Sequence, residues 1–190
     1  MRLFAWAFLS VLVYANSFKI QNVKRQMVAG ALGVLGLGIT PSHGDVDGFN
    51  EAIKLRNVPA AKFAKIVEDD ITIRQALITA DFSRNIYSES ATFKDEIDTY
   101  PIEKYIMGTK ALFVPEKSHV DLTSPVHVDD DKATFKFKET LTFNIPLITP
   151  AVDLTGNVEL LRGEDGLVVK SIEHWDRSPT EVLKTARFFQ

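Results

Sequence analysis

The chain contains no cysteine. That excludes a disulfide framework, a thiol nucleophile and thiolate metal ligation. No HxH or HExxH pattern, no serine–histidine–acid spacing and no phosphate-cradling glycine loop stands out, so the sequence calls for no metal and no cofactor. There is no internal repeat. Acidic residues are absent before Asp45, although 25 follow from there on. Long apolar runs are absent too. Leu3 to Val13 and Met27 to Ile39 are the two candidates, and both fall short of the roughly 20 apolar residues of a spanning helix.

Each of those runs is opened by positive charge, Arg2 for the first and Lys24-Arg25 for the second. Ala15 and Ser17 follow the first run in the small-x-small pattern of a cleaved secretory signal, which places a signal peptide at residues 1–17. The segment Phe18 to Gln26 is basic and free of carboxylates, as transit peptides are. The Ala15-Asn16-Ser17-Phe18 junction resembles the bipartite plastid presequence of diatoms and related algae. The second run, with four glycines among its 13 positions, is similar to a thylakoid-transfer segment, which extends the targeting region over residues 18–44. Glycines cost a helix up to about 1 kcal/mol each, so this run does not read as a packed core helix. The resemblance implies a plastid protein, in the thylakoid lumen. A retained anchor or the secretory pathway is the other reading of the same residues.

Arg2, Lys19, Lys24 and Arg25 are the four basic residues before Asp45, which leaves 18 of the 22 in residues 45–190 and a formal net charge of −7 there. Such a domain offers no basic stripe for nucleic acid. The pattern runs helices first and strands afterwards, which predicts an α+β domain. Pro59 opens a short helix to about Val67, after a lead-in spanning 45–70. Asp69-Asp70 reads as the N-terminus of a longer helix carrying Ile73, Leu77, Ala80 and Tyr87 on one face. A break at Ser88-Glu89-Ser90, a short strand at Ala91 to Asp95 and a second helix from Pro101 come next. From Ser118 the period is two. Strands around 120–128, 133–143, 152–160 and 167–176 make an antiparallel meander, with Arg162 to Gly166 as a hairpin signal. Residues 179–190 read as a C-terminal tail.

This order resembles the cone-shaped fold of nuclear transport factor 2 and the SnoaL-like proteins. It is most similar to a plastid SnoaL-like subgroup, through Tyr87…Phe93-Lys94-Asp95, Pro146…Pro150…Leu154-Thr155-Gly156 and Glu164-Asp165-Gly166-Leu167 running into His174-Trp175-Asp176. The similarity spans about 71–178. Two departures stand out: Glu96 follows Asp95 where the subgroup has proline, and Tyr100-Pro101 replaces a glycine before the helix. The resemblance implies a curved antiparallel sheet with helices packed on its concave face and a cavity between them for a small apolar ligand. It does not imply an activity, because the cone hosts enzymes and binding modules alike.

Glu139 occupies the apolar phase of its strand, as a general base or as half of a structural pair. His174 and Asp176 stand two apart and so share a side of the last strand. Asp95 is a possible third member. Either they form an acid–base site, or they bond to backbone while Trp175 packs on the other side. Tyr87 and Trp175 line a cavity or fill the core. The apolar loop Asn144 to Ala151 carries Ile145, Leu147 and Ile148 towards the mouth of the cone. Three functions follow as expectations. The first is a non-enzymatic domain binding a small apolar ligand or a partner protein. The others are a lyase or isomerase with a carboxylate base, and an assembly factor. The outer phase Thr134, Lys136, Lys138, Thr140 and Thr142 is polar and points to a monomer.

Overall fold

A computed structural model of the protein describes residues 54–145 and 149–189. Both N-terminal apolar runs lie outside the described residues, as do Pro146, Leu147 and Ile148. The elements are α1 (Ala60–Thr72), α2 (Ala76–Thr79), β1 (Tyr87–Lys94), β2 (Thr99–Pro101), α3 (Ile102–Leu112), β3 (His119–Leu122), β4 (His127–Val128), β5 (Lys132–Thr142), β6 (Thr149–Arg162), β7 (Val168–Trp175), α4 (Pro179–Lys184) and β8 (Arg187–Phe189).

The sheet runs β2-β1-β7-β6-β5-β3, with β4 also on β5 and β8 also on β6. The helices stand on one face: α1 packs against β3 and β4, and α3 against β1 and β2. The fold is α+β, a mixed curved sheet of many strands with few helices. Strands β5, β6 and β7 form the antiparallel meander that their period-two pattern predicts, Phe137 facing Gly156 and Gly156 facing Trp175. One pairing is not antiparallel. Strand β1 lies parallel to β7, with Phe93 beside Ser171, so the sheet is mixed. A local alternation cannot disclose this, because the partner of β1 is about 80 residues away and reached through the whole meander.

Inward positions follow a strict alternation. Ala133, Phe135, Phe137, Glu139 and Leu141 of β5 are buried, as are Val152, Leu154, Gly156, Val158 and Leu160 of β6. The helical expectations need two corrections. Asp69 and Asp70 lie inside one helix that ends at Thr72, not at the start of another. The predicted face from Ile73 to Tyr87 does not exist: Gln75 and Ala80 adopt left-handed backbone around a single turn of helix, Ile73 is exposed, and Tyr87 begins β1. Asp70 explains the turn. Its buried carboxylate accepts from both the backbone N–H and the hydroxyl of Ser83 at 2.8 Å, pulling the chain back over the helix. Gln75 adds a second tether, its amide accepting from Val120 N at 2.7 Å and donating to Val120 O at 3.0 Å. Side chain and backbone thus pair as two strand residues would.

Ser88-Glu89-Ser90 does not break the chain; it forms the irregular stretch of β1, where the register against β7 shifts between Tyr87 and Thr92. The predicted strand across 120–128 is two short ones, separated where Pro125 removes a donor. The C-terminal segment carries α4 and β8. Ser178 and Glu181 form a reciprocal cap for α4, and β8 pairs with the start of β6.

Candidate functional site on the concave face

Glu139 sits where alternation puts it, between Val120 of β3 and Leu154 of β6, and is 3% exposed. Its Oε2 is buried and has no hydrogen-bond partner. No described cation pairs with it. Burial, and next the charge of Glu173, push its carboxyl well above the usual carboxylate range.

Glu173 was not among the residues that sequence reasoning selected. It stands opposite Val158 on β7, in phase with Ser171 and Trp175. The neighbouring Trp175 donates from Nε1 to Glu173 Oε1 at 2.6 Å. Burial raises Glu173 up to about 7, opposed by the Trp175 hydrogen bond and helped by Asp95 and Glu96. The signal was present: a carboxylate two residues before a tryptophan shares its face. His174 and Asp176 occupy the other phase of the same strand.

That other phase faces outward. His174 is exposed, with Nδ1 at 3.4 Å from Glu96 Oε1. Asp176 is exposed too and accepts from Thr155 Oγ1 at 2.5 Å. Both side chains meet side chains rather than backbone, and Trp175 is partly buried in the opposite phase. Asp95 shapes the turn from β1 to β2, its Oδ1 accepting from Ile97 N and Asp98 N at 2.8 Å each. Burial raises its carboxyl as well. The charge of Glu173 acts on Glu139, and that of Asp95 on Glu173, while His174 and Asp176 are exposed. Leu147 lies outside the described residues.

Tyr87 and Trp175 split. Tyr87 belongs to an aromatic core, 4.8 Å from Phe82 and stacked on Phe93 at 5.7 Å. Tyr105 stacks on the far side of Phe93 at 4.1 Å. Burial holds both phenols above their ordinary value. Asp70, Phe82, Tyr87, Tyr105 and Ser171 enclose a void of about 20 Å³. That is room for one water, far below the roughly 300–1,000 Å³ of a ligand pocket. A ligand on this face has to displace side chains. Among the described residues no cluster of histidines and carboxylates could hold a metal, and no helix is long and apolar enough to cross a membrane.

No protein family and no curated protein matches the chain. Solved structures of similar shape include AclR, a proposed hydroxylase from Streptomyces galilaeus. It is 18% identical over 66% of this chain and 98% of that one, with a TM-score of 0.48. A second is a protein with a ketosteroid isomerase-like fold from Catenulispora acidiphila, solved with trimethylamine. It is 13% identical over 67% and 93% of the two chains, with a TM-score of 0.46. At such identities the likeness bears on fold alone, not on chemistry.

Proposed function

We propose that the domain binds a small, largely apolar carbonyl compound on its concave face and moves a proton on it, as an isomerase or lyase. One observation carries this reading: Glu139 is buried, unneutralised and left with an unpartnered oxygen, and it feels the charge of a second raised carboxyl, Glu173. Two such groups divide the labour. Glu173, near half-ionised at neutral pH, takes the proton from the carbon next to the carbonyl. Neutral Glu139 donates its O–H to the carbonyl oxygen as the enol forms. Return of the proton to another carbon gives isomerisation; loss of a leaving group from the next carbon gives elimination. Trp175 fixes the Glu173 oxygen that it hydrogen-bonds and leaves the other for the reaction.

The test is deuterium uptake. Cyclohex-2-enone and cyclohex-3-enone incubated with the full chain in heavy water should gain α-deuterium faster than in buffer, and the gain should vanish in Glu173→Gln. Exchange that persists in folded Glu173→Gln would overturn the catalytic reading. If ligands from lipid extracts are retained in native mass spectra and no exchange occurs, a binding module replaces it.

The address and the assembly state belong to the same proposal. The presequence pattern supports a plastid protein of the thylakoid lumen, and a full-length fluorescent fusion found in the secretory pathway would refute that. Exposed Lys136 and Lys138 on the outer face support a monomer, against which a light-scattering mass of twice the chain would count.

A further inference from the structure

A second concavity opens next to the start of β1. Lys54, Arg74, Phe82, Ser83, Arg84, Asn85 and Glu89 line a cleft of about 300 Å³, the lower end of the ligand-pocket range of roughly 300–1,000 Å³. Three cations and one carboxylate line it, in a chain whose formal net charge is −3. Two of the cations are already committed. The Lys54 ammonium donates to Arg84 O at 3.0 Å, to Tyr87 O at 2.7 Å and to Glu89. Arg84 binds Glu89 and Glu103. Arg74 is different. It stands 3.7 Å from Asp70, whose oxygens are taken by Ser83, and 4.0 Å from exposed Asp81. Both separations exceed a charge-assisted hydrogen bond. Nearby, Asn85 Oδ1 is buried and without a partner, so it lacks a donor.

We propose that this cleft binds the head of the ligand: a carboxylate, paired with Arg74, carrying an adjacent hydroxyl that donates to Asn85 Oδ1. The inference rests on the concave face holding the ligand's apolar body. Phe82 joins the two places, since its ring walls both the cleft and the inner void. A molecule with its head at Arg74 and its chain past Phe82 enters the aromatic layer of Tyr87, Phe93 and Tyr105. The head is therefore a 2-hydroxy carboxylate, and the apolar body behind it carries the carbonyl group that the carboxyl pair acts on.

Calorimetric titration of the full chain with octan-1-ol, octanoate and 2-hydroxyoctanoate tests it. Octanoate should bind at least tenfold more tightly than octanol, and 2-hydroxyoctanoate several-fold more tightly again. Arg74→Gln should remove the advantage of both acids and leave octanol unchanged; Asn85→Leu should remove only the advantage of the hydroxyl. Equal affinity for octanol and octanoate, no binding of any of the three, or acid binding that survives in folded Arg74→Gln would overturn the proposal. Deuterium uptake by the neutral cyclohexenones needs no anion subsite, so its loss reports on the carboxyl pair and not on this cleft.

Discussion

The two faces of the meander treat the same functional group in opposite ways. On the outer face Asp153 is held by Arg187, with a 2.9 Å bond from Nη2, and by Thr140 Oγ1 at 2.7 Å, and its carboxyl is pulled below the ordinary range. On the inner face Glu139 has no counter-charge and Glu173 has an indole N–H, and burial lifts both. Alternation on a strand decides which side a carboxylate takes. Its partners decide whether it is ionised at neutral pH. A paired acid stays an anion and holds structure; an unpaired buried one keeps a proton available.

The contrast depends on the two faces being held in register at one residue. Gly156 lies between Phe137 and Trp175, and a Cβ there would fall 2.1 Å from the carbonyl oxygen of His174 and 3.0 Å from the Phe137 ring. Backbone cannot yield as a side chain tip can. Gly156→Ala should therefore destabilise the domain by about 3 kcal/mol, at the top of the overpacking range, as read by urea unfolding. An effect below about 1 kcal/mol would mean that β6 and β7 are not so closely apposed.

The next largest effect is on pH. The folded carboxyl of Glu173 sits at about 7 against an ordinary 4.5, so the folded state holds the proton more tightly than the unfolded one. Stability is then complete below pH 4.5 and is lost as pH rises through 7, by about 3 kcal/mol at pH 8. Glu89, lowered to about 2, and Asp153, also lowered, act with the opposite sign at lower pH. Urea midpoints should fall from pH 5 to pH 8, and Glu173→Gln should flatten the decline. A flat wild-type profile would erase the distinction between the faces.

Much of this frame was legible because strands β5 to β7 alternate cleanly and neighbours in sequence are neighbours in space. Glu139 was visible as a charge in an apolar phase. Glu173 was equally visible by the same rule, yet its place depended on knowing which phase of β7 faces in, and Trp175 is a better guide to that than the acids beside it. What could not be read was set by distant contacts: the bond from Ser83 to Asp70 that turns α1 back, the parallel seat of β1, and the cleft, whose Lys54, Arg74 and Asn85 converge from three separate segments.

A smaller effect should come from removing the inner charge altogether. Glu139→Leu replaces a buried group with an unpartnered oxygen by a side chain of similar size among Val120 and Leu154. Stability at pH 8 should rise by about 1 kcal/mol, while any deuterium exchange is lost. A matching loss of stability would mean that Glu139 has a partner after all.

The smallest signal is optical, and it isolates one member of the pair. The chain has two tryptophans, Trp6 and Trp175, so Trp6→Phe in the full chain leaves Trp175 as the sole tryptophan. With excitation selective for tryptophan over the four tyrosines, the readout is Trp175 alone; its indole N–H is bonded to Glu173 Oε1 at 2.6 Å, and gaining a negative charge at that oxygen alters the emission of the ring. Fluorescence should follow a single titration with a midpoint near 7, the value at which Glu173 ionises. His174 is next in sequence but on the other face, so its removal is the control. Glu173→Gln should abolish the transition and His174→Ala should leave it in place. The reverse pattern would place the titrating group on the outer face, and the inner carboxyl pair would lose its claim to proton chemistry.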